Sequence, residues 1–297
     1  MSRITVCFFG ITRSLRYTQA SIEANILEPA RNLGDLRVCA HFFKQTQIDN
    51  PRSGEAGQLD TEEYQLLSYD NLELEAPDAC LEQNGFEALK TFGDEWDDEF
   101  RSLRNLVHQL HSLNRVTEAA LAEASDVVLF CRPDLLYFDS LGSAIERSLA
   151  APKPLVQLPW WQSWRGGVND RFAIINGRDA VAAYGKRIEQ ALPYCTSHQA
   201  PLHAERLLAD ALRDQDVREV GLRASRMRFD GTLKFEEFDH RTTRHNARRI
   251  RRRIPGKTLQ DPLVRLVCLA QRAVLGDVYS GSVGDVTVLR PNPKELL

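Results

Sequence analysis

The chain has 297 residues, 43% of them hydrophobic and 27% charged, with a formal net charge of -3. This is the composition of an ordinary soluble globular protein with enough apolar residues for a sizeable core, in one large domain or two smaller ones. The slightly acidic balance argues against general nucleic-acid binding. Six widely spaced cysteines (Cys7, Cys39, Cys80, Cys131, Cys195 and Cys268) form no CxxC pair and no metal-ligand rhythm, and several lie in apolar runs. They read as small hydrophobes in a reducing cytoplasm. The apolar run at the N-terminus is too short for a signal peptide, and no segment reaches the roughly 18 apolar residues of a spanning helix. The expectation is a cytoplasmic protein, soluble or peripheral on the inner face of the membrane.

Ile4 to Phe9 reads as a buried strand ending at Gly10. Ile22, Ile26, Ala30 and Leu33 then recur at helical spacing, with Pro29 as a point of kinking or shortening and Gly34 as a stop. Leu36 to Phe43 reads as a second strand, so the opening β-α-β unit predicts parallel strands with a right-handed crossover. The turn after the first strand carries Gly10, Thr12, Arg13 and Arg16. A hydroxyl and two guanidiniums beside a helix start suit an anion such as a diphosphate, or else are solvated helix-start arginines.

Residues 44–62 read as a surface loop and residues 71–99 as irregular and acidic, with Asp94, Glu95, Asp97, Asp98 and Glu99 as a solvated face and helix N-terminus, a metal role being the alternative. Asp98 to Glu123 carries the clearest helical stripe, through Leu103, Leu106, Val107, Leu110, Leu113 and Leu121. His108, His111 and Arg115 share another face, which reads as a polar edge because no carboxylate accompanies the histidines at motif spacing.

Val127 to Phe130 reads as a fully buried strand that runs into Cys131-Arg132-Pro133-Asp134. Charges at the carboxyl end of such a strand are site candidates, or they pair with each other and cap it. Pro133 stiffens the link between the two charges. A helix near Leu141 to Ala150 and a strand from Leu155 follow. Then comes PWWQSWRGGVNDRFAIING (159–177), with Trp160, Trp161 and Trp164 as platforms for sugar rings and Gly166-Gly167 for close backbone approach. The alternative is a tryptophan-anchored turn with a structural Asp170–Arg171 pair. Helical residues run from Arg178 to about Leu192. A helix beginning near Pro201 carries His203 and Glu205, and Val217 to Gly231 reads as a strand pair bearing Arg223, Arg226 and Arg228.

From Arg241 to Lys257 the chain has seven arginines and one lysine with no acidic residue, and an amphipathic run follows Pro262. This pattern suits an anionic membrane surface; nucleic acid and a plain solvated helix are the rival readings. The expected division is 1–238 for the α/β domain and 239–297 for a basic, partly amphipathic helical extension.

Taken together, FFG-x-TRS-x-R, RPDLLYFD, GGVNDRFAI and the later HxE occur in an order that resembles bacterial and plant glycosyltransferase-like proteins with a GT-A-type nucleotide-sugar domain, over about Ile4 to Gly231. The resemblance implies a Rossmann-type mixed, mainly parallel sheet flanked by helices. It also implies transfer of a sugar from a nucleoside diphosphate sugar co-substrate to a hydroxyl of a glycan or lipid-linked acceptor, in surface polysaccharide biosynthesis. Under it, Gly10, Thr12, Arg13, Arg16, Arg132 and Asp134 line the nucleotide pocket. Trp161, Trp164, Asn169 and Arg171 hold the acceptor or sugar, and Asp170, Glu205 and Arg132 act in catalysis. Asp134 stands where that family places its Mn²⁺- or Mg²⁺-binding DxD. This chain has Arg132-Pro133-Asp134 instead, and a lone carboxylate holds such ions weakly, so Arg132 is the alternative source of positive charge. The rival classes are a non-catalytic glycan- or nucleotide-binding protein on a degenerate transferase scaffold, and a peripheral membrane protein acting through Arg241 to Lys257.

Overall fold

The structure is a computed structural model that describes residues 2–50, 54–163, 166–234, 236 and 238. In chain order it builds β1 (Arg3–Gly10), α1 (Leu15–Ile22), a π turn (Glu23–Leu27), α2 (Glu28–Leu33), β2 (Asp35–Phe43), β3 (Gln47–Asn50), β4 (Glu55–Gln58) and β5 (Asn71–Glu75). Next come α3 (Ala79–Gln83), α4 (Phe86–Lys90), α5 (Arg101–Ala122), β6 (Val127–Cys131), β7 (Leu135–Tyr137), α6 (Gly142–Ala150), β8 (Leu155–Pro159) and β9 (Ala173–Asn176). It closes with α7 (Arg178–Gly185), α8 (Ala191–His198), α9 (Ala204–Ala211), β10 (Val217–Val220) and β11 (Ala224–Arg226).

Seven strands form one sheet in the order β10-β8-β9-β6-β1-β2-β5. All neighbours are parallel except β9, which runs antiparallel to both β6 and β8. The sheet is therefore mixed and mainly parallel, as expected. Alternation along β1 explains its two covered faces. Ile4, Val6 and Phe8 pack with Ile22, Ile26, Ala30 and Ile145 on one side, while Cys7 and Phe9 pack with Leu113, Val116 and Tyr184 on the other. Pro29 lacks an N–H and crowds the preceding turn, and the π turn lies directly before it.

Three sequence readings change. Residues 44–62 are not all loop, because β3 and β4 pair as an antiparallel ribbon. The acidic stretch supplies β5, the sheet edge beside β2. β10 and β11 do not pair with each other. β10 extends the main sheet along β8, and β11 pairs antiparallel with the three-residue β7. Gly34 ends α2, as read from the sequence, in extended conformation. The readings on Trp164, on Arg241 to Lys257 and on the 239–297 extension lie outside the described residues. No helix among the described residues is long and apolar enough to cross a membrane.

Candidate functional site

The carboxyl ends of β1 and β6 open into a cavity of about 690 Å³. Gly10 and Arg13 reach it from the turn after β1, and Arg132 and Asp134 from the turn after β6. Asn105 and Gln109 come from α5, Asp170 and Arg171 from the loop before β9, and His203 and Glu205 from the start of α9. The β7–β11 pairing sets Arg226 opposite Leu135, beside Asp134, and carries Arg226, Arg228 and Lys234 into the same cavity. The Met227 N–H donates to the Asp134 carbonyl at 2.8 Å and fixes that junction.

Charge is concentrated at one wall. Arg132 grips Asp134 with two donors, Nε to Oδ1 and Nη2 to Oδ2, both at 2.8 Å, while its Nη1 donates to Gln109 Oε1 at 2.9 Å. Arg13 Nη2 donates to the same Asp134 Oδ2 at 2.7 Å, and its Nη1 lies 3.4 Å from Glu55 Oε2. Burial alone would raise the Asp134 carboxyl, but the charges of Arg132 and Arg13 outweigh it and hold the group well below the usual carboxylate range. Burial, helped by Arg171 and Arg132, pushes Arg226 down. Lys234 is pushed down to about 8 by burial and then by Arg226. Among the described residues six cationic side chains and four carboxylates line the cavity, and the buried Glu236 lies 3.7 Å from Arg171 Nη2 and 3.8 Å from both Arg226 Nε and Lys234 Nζ. Guanidinium and ammonium groups brought together on one cavity suit a polyanionic ligand.

The residues named from sequence separate into two groups. Gly10, Arg13, Arg132, Asp134, Asp170, Arg171 and Glu205 come together around the cavity. Gly10 has a φ of 107°, and its N–H donates to Ser112 Oγ at 2.8 Å. Asp170 Oδ2 accepts from Gln109 Nε2 at 3.3 Å, so one glutamine touches both Asp170 and Arg132. Gly167 is needed where the loop meets α9, because an added Cβ would sit 2.3 Å from the Glu205 carbonyl carbon.

Thr12, Arg16, Trp161 and Asn169 do not line the cavity. Arg16 lies against Glu63 at 3.2 Å and donates to the Phe229 carbonyl. Trp161 is fully buried in the core and its indole donates to the Leu222 carbonyl at 2.7 Å, so it offers no face to a sugar. Asn169 spans the loop, donating to the Trp161 carbonyl and accepting the Arg171 N–H.

The structure also decides whether Asp134 suits Mn²⁺ or Mg²⁺. Its two oxygens already accept from two guanidiniums, and no DxD partner follows it in sequence. The donor set does not fit a hard divalent cation, and no chemical step is derived through one.

Arg226, Arg228, Lys234 and Gln109 are additions that sequence reasoning did not place at a site. The available signal was the two-residue spacing of Arg226 and Arg228, which puts both on one face of an extended segment.

No family model matches the chain, and no curated protein matches it. Among solved structures it shows partial likeness to mouse xyloside xylosyltransferase 1 in its apo form, at 8% identity and a TM-score of 0.37 over 74% of this chain and 85% of that one. It is similar at the same score and 14% identity to the galactosyltransferase LgtC with donor and acceptor sugar analogues, over 73% of each chain. The apo glycosyltransferase GlyE of Streptococcus pneumoniae gives 10% identity and 0.38 over 74% of this chain and 45% of its own. At this identity and superposition the likenesses assign neither family nor activity.

Proposed function

We propose that the chain is a nucleotide-sugar-dependent glycosyltransferase whose cavity receives the diphosphate of the donor on arginine and lysine rather than on a metal ion. The observation that carries this reading is the convergence of Arg13, Arg132, Arg171, Arg226, Arg228 and Lys234 on one cavity at the strand ends. Guanidiniums match phosphate oxygens in pairs, and fixed cations stabilise the charge that grows on a leaving diphosphate.

In the reaction a hydroxyl oxygen of the acceptor forms the new bond to the anomeric carbon while the bond to the diphosphate oxygen breaks. The hydroxyl proton passes to a carboxylate, for which Asp170 is the first candidate and Glu205 the second. Gln109 orients Asp170 and Arg132 together. The acceptor is a glycan or lipid-linked hydroxyl of a surface polysaccharide, and the basic segment Arg241 to Lys257 supplies contact with an anionic membrane surface.

The test of the base is Asp170→Asn. Loss of a positioned general base lowers turnover by about 10²–10⁴-fold. Donor affinity and melting temperature should stay near wild type. Turnover at the wild-type rate by a folded variant would remove Asp170 from this role. A second reading, a non-catalytic nucleotide- or glycan-binding protein, is favoured by the engagement of Asp134 with two guanidiniums. Donor binding with no transfer to any of a panel of acceptors would select it.

A further inference from the structure

Next to Phe43, which lines the cavity and whose ring lies 5.3 Å from that of His41 and 6.0 Å from that of His111, three side chains from three elements converge. They are His41 from β2, Glu75 from β5 and His111 from α5. Glu75 Oε2 lies 3.0 Å from His41 Nε2 and 2.9 Å from His111 Nε2, and all three candidate ligand atoms fall within 4.8 Å of one another. The imidazoles are buried, while the carboxylate keeps 25% of its side chain exposed, which leaves a path from solvent.

The hydrogen-bond pattern around His41 makes this more than a pair of histidine–carboxylate contacts. Ser112 Oγ accepts the Gly10 N–H at 2.8 Å and donates its single proton to the His41 carbonyl at 2.7 Å. The contact from Ser112 Oγ to His41 Nδ1 at 2.9 Å must then be donated by the ring. With the proton on Nδ1, a neutral His41 turns the bare lone pair of Nε2 onto the Glu75 carboxylate. Two acceptors at 3.0 Å repel each other unless a cation lies between them.

We propose that His41, Glu75 and His111 form a binding site for a zinc-class divalent ion, with water as fourth ligand. Two imidazole nitrogens and one carboxylate oxygen are a zinc donor set, and a buried second partner on a ligating histidine, here Ser112, is its usual support. Bonds of about 2.0–2.1 Å at tetrahedral angles would lengthen the two histidine–Glu75 separations by roughly 0.3–0.5 Å. On the far side of His111, Asn84 Nδ2 lies 3.1 Å from Nδ1. The same Nδ2 donates to the Cys80 carbonyl at 2.6 Å, so metal on Nε2, which puts the His111 proton on Nδ1, requires the Asn84 side chain to move off the ring while keeping its Cys80 bond. The ion ties the edge strand β5 to α5, and through Ser112 it steadies the Gly10 N–H at the rim of the cavity. This site is independent of the proposed transferase reading.

The test uses the full chain, stripped with a chelator and titrated with Zn²⁺ against a chromophoric competitor, then loaded with Co²⁺ for absorption spectroscopy. The expected result is one equivalent of Zn²⁺ and a Co²⁺ spectrum of nitrogen and oxygen ligation without the intense thiolate charge-transfer band. Glu75→Gln and His111→Gln should each weaken binding by more than the roughly 10–100-fold that outer-shell changes cost. Substoichiometric binding, a thiolate band, or affinity unchanged in both variants would overturn the proposal and leave a proton-bridged His–Glu–His cluster. If a variant fails to fold, the stoichiometry and the cobalt spectrum of the wild type decide between the two.

Discussion

Asp134 is gripped by the arginine two residues before it, with Arg132 Nε and Nη2 each 2.8 Å from a different carboxylate oxygen. Pro133 between them restricts the backbone that separates the two charges. A residue that would otherwise attract a cation is thus turned into the anchor of a guanidinium pair, and the remaining donors of that pair border the cavity.

Removing the anchor should be costly. Asp134→Asn leaves Arg13 and Arg132 beside an uncharged amide, and loss of one partner from a buried ion pair costs about 3–5 kcal/mol. The Asp134 carboxyl is held well below its ordinary value. Its contribution is therefore fully present above the unfolded value of about 4 and is lost as pH falls through the folded value. Thermal unfolding should show a wild-type-to-variant gap that is constant near neutral pH and closes only in acid. A gap that closed as pH rose would contradict the assignment.

Lys234 gives the cavity a second pH response, in the opposite direction. It sits at about 8 because burial and then Arg226 disfavour its charge. A bound diphosphate favours the charged form, so affinity should be greatest below about pH 8 and fall as pH rises through it, by about tenfold if the contact is worth about 1.4 kcal/mol. Lys234→Met should bind more weakly at neutral pH and flatten the profile. Calorimetric titration with the nucleoside diphosphate alone, at several pH values, measures both.

Trp161 separates stability from binding. It is fully buried and donates to the Leu222 carbonyl, so Trp161→Ala should lower stability by about 3–5 kcal/mol. The folded fraction should keep its nucleotide affinity. Denaturant unfolding reads the first effect and titration below the unfolding midpoint reads the second. A folded variant with unaltered stability and lost sugar binding would restore the stacking role expected from sequence.

What could be read in advance depended on how locally each feature is encoded. β1 and β6 are largely apolar runs buried on both faces, and β2 is buried from Val38 to Phe43, so these strands follow from the side chains themselves. β3 and β4 are mostly polar, with Ile48 and Ala56 as their apolar residues, and β5 is a short leucine–glutamate alternation within an acidic stretch, so each carries at most a weak strand signal. The strand-end charges Arg13, Arg132, Asp134, Asp170 and Arg171 were legible for the same local reason. Arg226, Arg228 and Lys234 reach the cavity only because β11 pairs with β7, a contact between segments far apart in sequence. Trp160 and Trp161 misled because bulk and an indole donor serve a core equally well when a backbone carbonyl lies within reach. His41, Glu75 and His111 come from two strands and a helix, and no motif spacing links them.

The most direct measurement is a thermal-shift series of the full chain against UDP, GDP, CDP, CMP and dTDP sugars, in chelator and in Mn²⁺, each shift taken from the same buffer without nucleotide. A ligand that binds only the folded state raises the melting temperature, by an amount equivalent to about 2.7 kcal/mol at a hundredfold excess over Kd. The account predicts a clear shift with one nucleotide class that persists in chelator and is lost when Arg226 is replaced by methionine. A shift that appears only with Mn²⁺, or none with any donor, would contradict a diphosphate site built from guanidinium groups.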